Sequence, residues 1–352
     1  MPLRVLLLHE YSGVHTELKA GLRELGVSAD IATFGDYHKA FATDLDLGRV
    51  DPGLRHSAGR AIRQIINVAA FRRYDIVQSI SALPFNRAVS RLVEPLILGT
   101  GGPRYVFVAA GSDSFYRRHC LSLDYWPPHD WHHRARVERM ETRIARRASA
   151  IVSALWDYDY TMRKAGFEPE FIPLPVHVGD IAPVRIAERE RLVVYHPLNR
   201  KEGNDFKGTT HIRRAFEMLR AEYEGSVDFI ERGGMSFDEY SRFTDGVDVI
   251  VDQANSYTYG MSALYGLAKG QVVLSGNEPV THELAAYRQS PVVNIRPDAE
   301  QIADTLRRLL SDRAALQARG AEGRAFVERV HDTRIVARQY LDLYERILSA
   351  PR

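Results

Sequence analysis

The chain has 352 residues, 45% of them apolar and 26% charged, with a formal net charge of +2. That length and balance predict two soluble domains, each large enough to bury its own core, and give no general case for binding nucleic acid. The sole cysteine, Cys120, excludes an internal disulfide framework and fits a reducing compartment. No apolar run reaches membrane-spanning length, and the opening LRVLLLHE is too short for a signal core, so a cytoplasmic enzyme is expected.

Leu3 to Leu8 is a continuous apolar run, the pattern of a central parallel strand buried on both faces. Ser12-Gly13-Val14-His15 then leads into a helix with Leu18, Leu22 and Leu25 on one face, stopped by Gly26. Val27 to Thr33 supplies the next strand. This opening lacks the full GxGxxG pattern, so it is a weak sign of NAD. Ala58 to Phe71 sets Ile62, Ile65, Ile66 and Ala69 at helical spacing, the pattern of one apolar face. A strand at Tyr74–Gln78 and a helix over Asn86–Leu98 follow, the latter bent or shortened by Pro95. The strand Tyr105–Ala110 ends in Gly111-Ser112-Asp113-Ser114, which puts a carboxylate where open α/β sheets bind ligands. Asp113 reads equally as a cap for the next turn.

Residues 115–135, FYRRHCLSLDYWPPHDWHHRA, are irregular and aromatic. Asp124, His129, Asp130, His132 and His133 invite a metal, but no HExxH or paired-cysteine framework supports one, and none is expected. A loop of this length with Tyr125, Trp126 and Trp131 suits a binding element or lid. From Ala135 a helix sets Val137, Met140, Ile144 and Ala148 on one face. Arg136, Arg139, Arg143 and Arg146 or Arg147 form the neighbouring stripe. That stripe is a solvated face or a peripheral contact with anionic lipid. Ala150–Ser153 closes the first sheet.

Proline at 173, 175 and 183 and the charged run AERERL form a linker, and a strand restarts at Leu192–His196. A basic loop with Arg200 and Lys207-Gly208 runs into a helix at Thr209, with Ile212, Phe216 and Leu219 toward the core. Ser226–Glu231 is a strand followed by Arg232-Gly233-Gly234. Val247 to Pro279 reads as a buried strand, a loop, a helix opening near Gly260, a turn at Lys269-Gly270 and the strand QVVLS, with Glu278 just beyond. A helix N-terminus fed from a strand's carboxyl end favours an anion by roughly 0.3–1 kcal/mol, and Gly260 admits close approach. Local pattern alone also fits an ordinary strand–helix–strand unit. Further helices are expected around Ile302–Leu309, over Arg319–Val330 and over Thr333–Leu348.

TYGMSALYGLAKGQVVLSG resembles the nucleotide-sugar segment of GT-B glycosyltransferases, especially glycosyltransferase family 4. DIVQ, FIPLP and the Arg200…Lys207-Gly208 element resemble that family at corresponding places. The resemblance implies an α/β fold of two Rossmann-like, doubly wound domains facing a cleft. These would be residues 1–175 on the acceptor side and 176–332 on the donor side, with 333–352 crossing back. It implies transfer of a sugar from a nucleotide-diphospho-sugar to an acceptor hydroxyl, retaining and without metal or other cofactor. The acceptor would be a glycan, a lipid-linked glycan or a small molecule. Arg200 and Lys207 would neutralise the diphosphate on the helix opening at Gly260, with the 232–234 loop near the base. Ser12, Gly13 and His15 become candidate substrate contacts, against Ser12 as a helix cap and His15 as solvated. Tyr257, Gly208, Tyr259 and Tyr265 complete the expected donor site.

The sequence departs from the family at one place. Two glutamates with seven residues between them are replaced here by Tyr257 and Tyr265, and a neutral tyrosine cannot stabilise an oxocarbenium-like centre by charge. The carboxylate role then passes to Glu278 or Asp113. Otherwise the chain is a catalytically silent nucleotide-sugar or glycan binder, or a sugar-nucleotide epimerase of the same fold.

Overall fold

Two runs of short apolar strands each build a parallel sheet, and helices cover both. The computed structural model describes residues 2–33, 39, 41–48, 54–85, 89–99, 101–127, 135–186, 190–198 and 205–351. Strands β1 (Arg4–Leu8), β2 (Ser28–Thr33), β3 (Leu45–Asp46), β4 (Ile76–Ser79), β5 (Arg104–Ala109), β6 (Ala150–Ser153) and β7 (Glu170–Phe171) pair in the order β3-β2-β1-β4-β5-β6-β7, all parallel. Val5, Leu6, Leu7 and Leu8 of β1 are fully buried, as a strand sandwiched between helical layers requires. The helices of this half are α1 (Val14–Glu24), α2 (Leu54–Phe71), α3 (Ser90–Leu98), α4 (Ser114–His119), α5 (Ala135–Ala145) and α6 (Trp156–Lys164).

The second sheet holds β8 (Leu192–Leu198), β9 (Val227–Gly233), β10 (Val249–Val251), β11 (Val272–Ser275) and β12 (Val293–Asn294) in the order β12-β11-β10-β8-β9, again all parallel. Its helices are α7 (Thr209–Arg220), α8 (Phe237–Thr244), α9 (Met261–Ala268), α10 (Ala299–Leu310), α11 (Arg313–Val330) and α12 (Thr333–Ser349). Both sheets reverse strand order beside their first strand, β1 between β2 and β4, and β8 between β9 and β10. Such reversals open a crevice at the strands' carboxyl ends. The two crevices meet.

Helix α12 returns to the first half and lies along α1. The Thr333 hydroxyl donates to the Glu17 carbonyl at 2.6 Å, and the Tyr344 hydroxyl donates to the Gln78 side chain at 2.8 Å. Among the described residues, no helix is long and apolar enough to cross a membrane. One pattern from the sequence turns the other way in the structure. Ile62, Ile65 and Ile66 face outward, while Ala61 and Gln64 of the same helix turn to the sheet. The stripe is real, but its apolar face is not the buried one.

The α1–α12 contact gives a test that separates packing from propensity. Glycine inside a helix costs about 1 kcal/mol relative to alanine, so Gly21→Ala taken locally is a gain. A Cβ at Gly21, however, would overlap the Thr333 carbonyl and come within 2.8 Å of the Ala337 Cβ. Overpacking costs about 1–3 kcal/mol and wins. Gly21→Ala is expected to lower the urea midpoint with an unchanged slope.

Candidate active site

The meeting crevices form a cleft of about 420 Å³. Tyr11, Ser12, Val14, Lys39 and Phe41 line it from the β1 side, and Leu155, Asp157 and Tyr158 from the start of α6. Across from them lie Tyr195, Lys207, Asp252, Gln253 and Ser256, the opening of α9 at Gly260, Met261 and Ser262, and the Gly233–Phe237 loop. Aromatic walls with a few converging polar groups are the usual make-up of a small-molecule site.

On the second-half wall, Lys207 lies between β8 and α7. Gly208 takes a left-handed backbone (φ 74°) that turns the loop into α7. Lys207 is buried, and its ammonium donates to the Asp252 carboxylate at 2.6 Å. Behind the pair, His196 is fully buried between the Val251 carbonyl (2.7 Å) and the Thr209 hydroxyl (2.8 Å). Burial first, and the Lys207 charge second, hold its pKa down to about 3. A neutral imidazole therefore backs the cation. Helix α9 begins at Gly260 with no side chain capping it, and a Cβ placed on Gly260 would meet open space. Its first backbone N–H groups point to the cleft with the positive end of the helix dipole.

The first-half wall is arranged differently. His9 and Ser12 both carry positive φ, 68° and 58°, unusual for residues with a side chain and a mark of imposed strain. The Glu10 carboxylate accepts from the Gly13 N–H (3.0 Å) and the Thr16 N–H (2.7 Å), so the α1 N-terminus already holds an internal anion. Lys39 donates to the Ser12 hydroxyl at 2.6 Å. His15 is fully buried on the His9 carbonyl (2.8 Å) and beside Gln78, with its pKa pressed down to about 4 by burial. It therefore faces the core, neither solvated nor in the cleft.

Several ties join the two halves. The Asp157 carboxylate, at the start of α6, accepts from the Tyr257 N–H at 3.1 Å, from the Ser256 hydroxyl at 3.4 Å and from the Thr258 hydroxyl. Burial raises its pKa, and these donors oppose the rise. Tyr265 donates to Glu17 of α1 at 2.8 Å, and Glu17 also accepts from the His177 N–H at 2.6 Å. A Cβ at Gly13 would meet the Tyr265 hydroxyl at 2.5 Å, so glycine is needed there for the two halves to close. Tyr257 stacks on Trp156 and Tyr125, and its hydroxyl accepts from the Asp124 N–H at 3.1 Å.

Of the expected site residues, Ser12, Lys207, Gly260 and Tyr265 line one cleft, with Gly13 and Gly208 shaping its loops. Tyr259 points away, to His331 (3.2 Å) and Tyr287 in the core. Asp113 caps α4, accepting from the Tyr116 N–H at 2.8 Å, and burial pushes its pKa up to about 7. Glu278 lies outside the cleft lining. Its carboxylate takes both ends of the Arg296 guanidinium (2.8 and 2.5 Å), Asn294 (2.7 Å) and the Tyr125 hydroxyl (2.7 Å). Arg200, His129, Asp130, Trp131, His132 and His133 lie outside the described residues. Among the described residues, no cluster of three or more His, Cys, Asp or Glu side chains forms a metal site. Sequence reasoning passed over Lys39 and Asp157, because neither sits at a strand end or in a motif; only the fold brings them to the cleft.

Glu278 provides a pH test. Burial raises its pKa, but Arg296, Asn294 and Tyr125 outweigh that and hold it below its ordinary value. A carboxyl with a depressed folded-state pKa contributes stability above its unfolded pKa, lost as pH falls through the folded value. Glu278→Gln is therefore expected to destabilise at neutral pH by about 1–3 kcal/mol. The difference from wild type should shrink as pH is lowered below about 4, which thermal melts across pH would show.

A scan against protein-family models gives no match, and a search of curated proteins gives none. Solved structures do match along the whole chain. Sucrose-phosphate synthase from Thermosynechococcus elongatus aligns over 99% of this chain and 100% of its own at 14% identity, with a TM-score of 0.68. Anabaena HepE in complex with UDP and glucose aligns over 98% and 100% at 12% identity, TM-score 0.67. WaaG, a glycosyltransferase involved in lipopolysaccharide biosynthesis, aligns over 97% and 99% at 14% identity, TM-score 0.58. The chain has the α/β GT-B fold, two Rossmann-like halves about a central cleft.

Proposed function

We propose that the protein is a glycosyltransferase that takes a sugar from a nucleotide-diphospho-sugar. The observation that carries this is the uncapped N-terminus of α9 opening beside buried Lys207 at the paired switch points. A diphosphate placed there meets backbone N–H groups, a helix dipole and an ammonium at once. The aromatic wall of Tyr195, Phe206 and Phe237 and the Gly233–Gly234 turn suit a flat base. The solved complexes of HepE with UDP and with UDP-glucose support a UDP-hexose as the first donor to try. Retention of anomeric configuration and independence of metal belong to this reading by resemblance to family 4.

Among the described residues, Asp157 and Asp252 are the carboxylates on the cleft lining, whereas Glu278 and Asp113 are committed to structural partners. In the absence of donor, Asp252 neutralises Lys207. A diphosphate competes for the same ammonium and releases the Asp252 carboxylate toward the reacting sugar. A second reading, binding without turnover, is favoured by Tyr257 and Tyr265, which spend their hydroxyls on the opposite half of the molecule.

Lys207 tests the donor site. Lys207→Ala should weaken UDP binding by roughly ten- to a hundred-fold in calorimetric titration, the value of a charge-assisted contact. Because the variant leaves Asp252 buried and unpaired, it should also lose stability by about 3–5 kcal/mol. Lys207→Ala with Asp252→Asn is expected to regain the fold without regaining UDP affinity. Unchanged affinity in both variants would remove Lys207 from the site. Release of UDP in the presence of an acceptor separates transfer from silent binding.

A further inference from the structure

Five large apolar side chains on the described surface lie on two neighbouring helices of the first half. Ile62, Ile65 and Ile66 of α2 are 58%, 46% and 68% exposed. On α3, which packs beside α2, Leu92 and Leu96 are 68% and 39% exposed. A lone exposed apolar residue needs no explanation, but five on two adjacent helices form a patch that marks an interaction surface.

The charge of this face is mostly basic, although Arg63 pairs with the exposed Asp46 carboxylate beside α2. Residues 54–73 contain Arg55, Arg60, Arg63, Arg72 and Arg73 and no aspartate or glutamate. Arg72 and Arg73, just beyond α2, are exposed. The single acid of α3, Glu94, is buried and accepts from Arg143 of α5 at 2.7 Å. That bond holds α5 next to α3, and α5 adds exposed Arg136 and Arg139, with Arg146 and Arg147 just past its end. Apolar knobs between arginines match a bilayer surface, where the knobs enter the acyl boundary and the guanidiniums meet anionic headgroups.

We propose that this α2–α3 face, flanked by α5, docks the protein on an anionic lipid bilayer. A second copy of the chain fits less well. A twofold interface sets a surface against itself, and here Arg72 and Arg73 would face arginines, while Asp46, the exposed carboxylate beside α2, is already paired with Arg63. Docking through the first half deepens the transferase reading by making the acceptor lipid-linked, and it rests on that reading for this last step alone.

The test is co-sedimentation of the full-length protein with phosphatidylcholine vesicles, with and without phosphatidylglycerol. Binding to the anionic vesicles and its decline with salt are expected. Ile62→Ser with Ile66→Ser should lower the partition by about ten-fold or more, since each loses an apolar side chain from the boundary. Arg72→Gln with Arg73→Gln should reduce the preference for phosphatidylglycerol. Both pairs are exposed, so thermal midpoints and UDP-induced stabilisation should match wild type. Equal partition of the isoleucine variant, or no preference for anionic vesicles, overturns the proposal. So does a dimer in velocity sedimentation that the isoleucine variant dissociates. None of these readouts needs turnover, so loss of the transferase reading would leave this result standing on its own.

Discussion

One buried carboxylate holds the two halves of this molecule in register. Asp157 belongs to the first half by sequence and sheet, yet its oxygens are satisfied by Ser256, Tyr257 and Thr258 of the second. Taking a carboxylate out of water is costly unless donors replace the lost hydration, and here three do so from one short loop. The same loop leads into α9. The helix that presents the candidate phosphate site is therefore positioned by a side chain from the opposite domain. Anything that disturbs Asp157 is felt at Gly260 without touching it.

Tyr257 and Tyr265 take on meaning in this setting. Tyr265 binds Glu17, and Tyr257 stacks between Trp156 and Tyr125. Both reinforce the tie that Asp157 begins. At these two positions the chain makes contact across the cleft. Tyrosine suits that role, since one hydroxyl satisfies a buried carboxylate or amide while the ring supplies apolar area. The remaining acidic groups are likewise spoken for, with Glu10 on the α1 N-terminus and Glu278 on Arg296.

Much of the fold could be read from residue pattern. The mostly buried runs at Leu3–Leu8 and Leu192–His196, and the strand–helix–strand from Val247 to Ser275, each sit where their largely apolar character puts them. Side-chain destinations were less legible. His15 follows a glycine turn, as a cleft residue might be expected to, but helical phase carries it inward to Gln78. Tyr259 lies one residue before Gly260 and points to the other side of the same loop. Asp157 could not be found by pattern at all, because its partners are about a hundred positions away. Sequence period fixes which face of an element a residue takes; which neighbour it meets depends on sheet order and long-range closure.

The return of α12 to α1 has a consequence for how the chain comes to be folded. The groove between Gly21 and its neighbours is filled by Thr333 and Ala337, residues made more than three hundred positions later. Until then the first sheet has one apolar helix face uncovered while the entire second half emerges. Pairing across more than three hundred positions also raises contact order and slows closure. The first half is thus translated before the second and finished only after it, and its exposed intermediate is the species on which a chaperone would act.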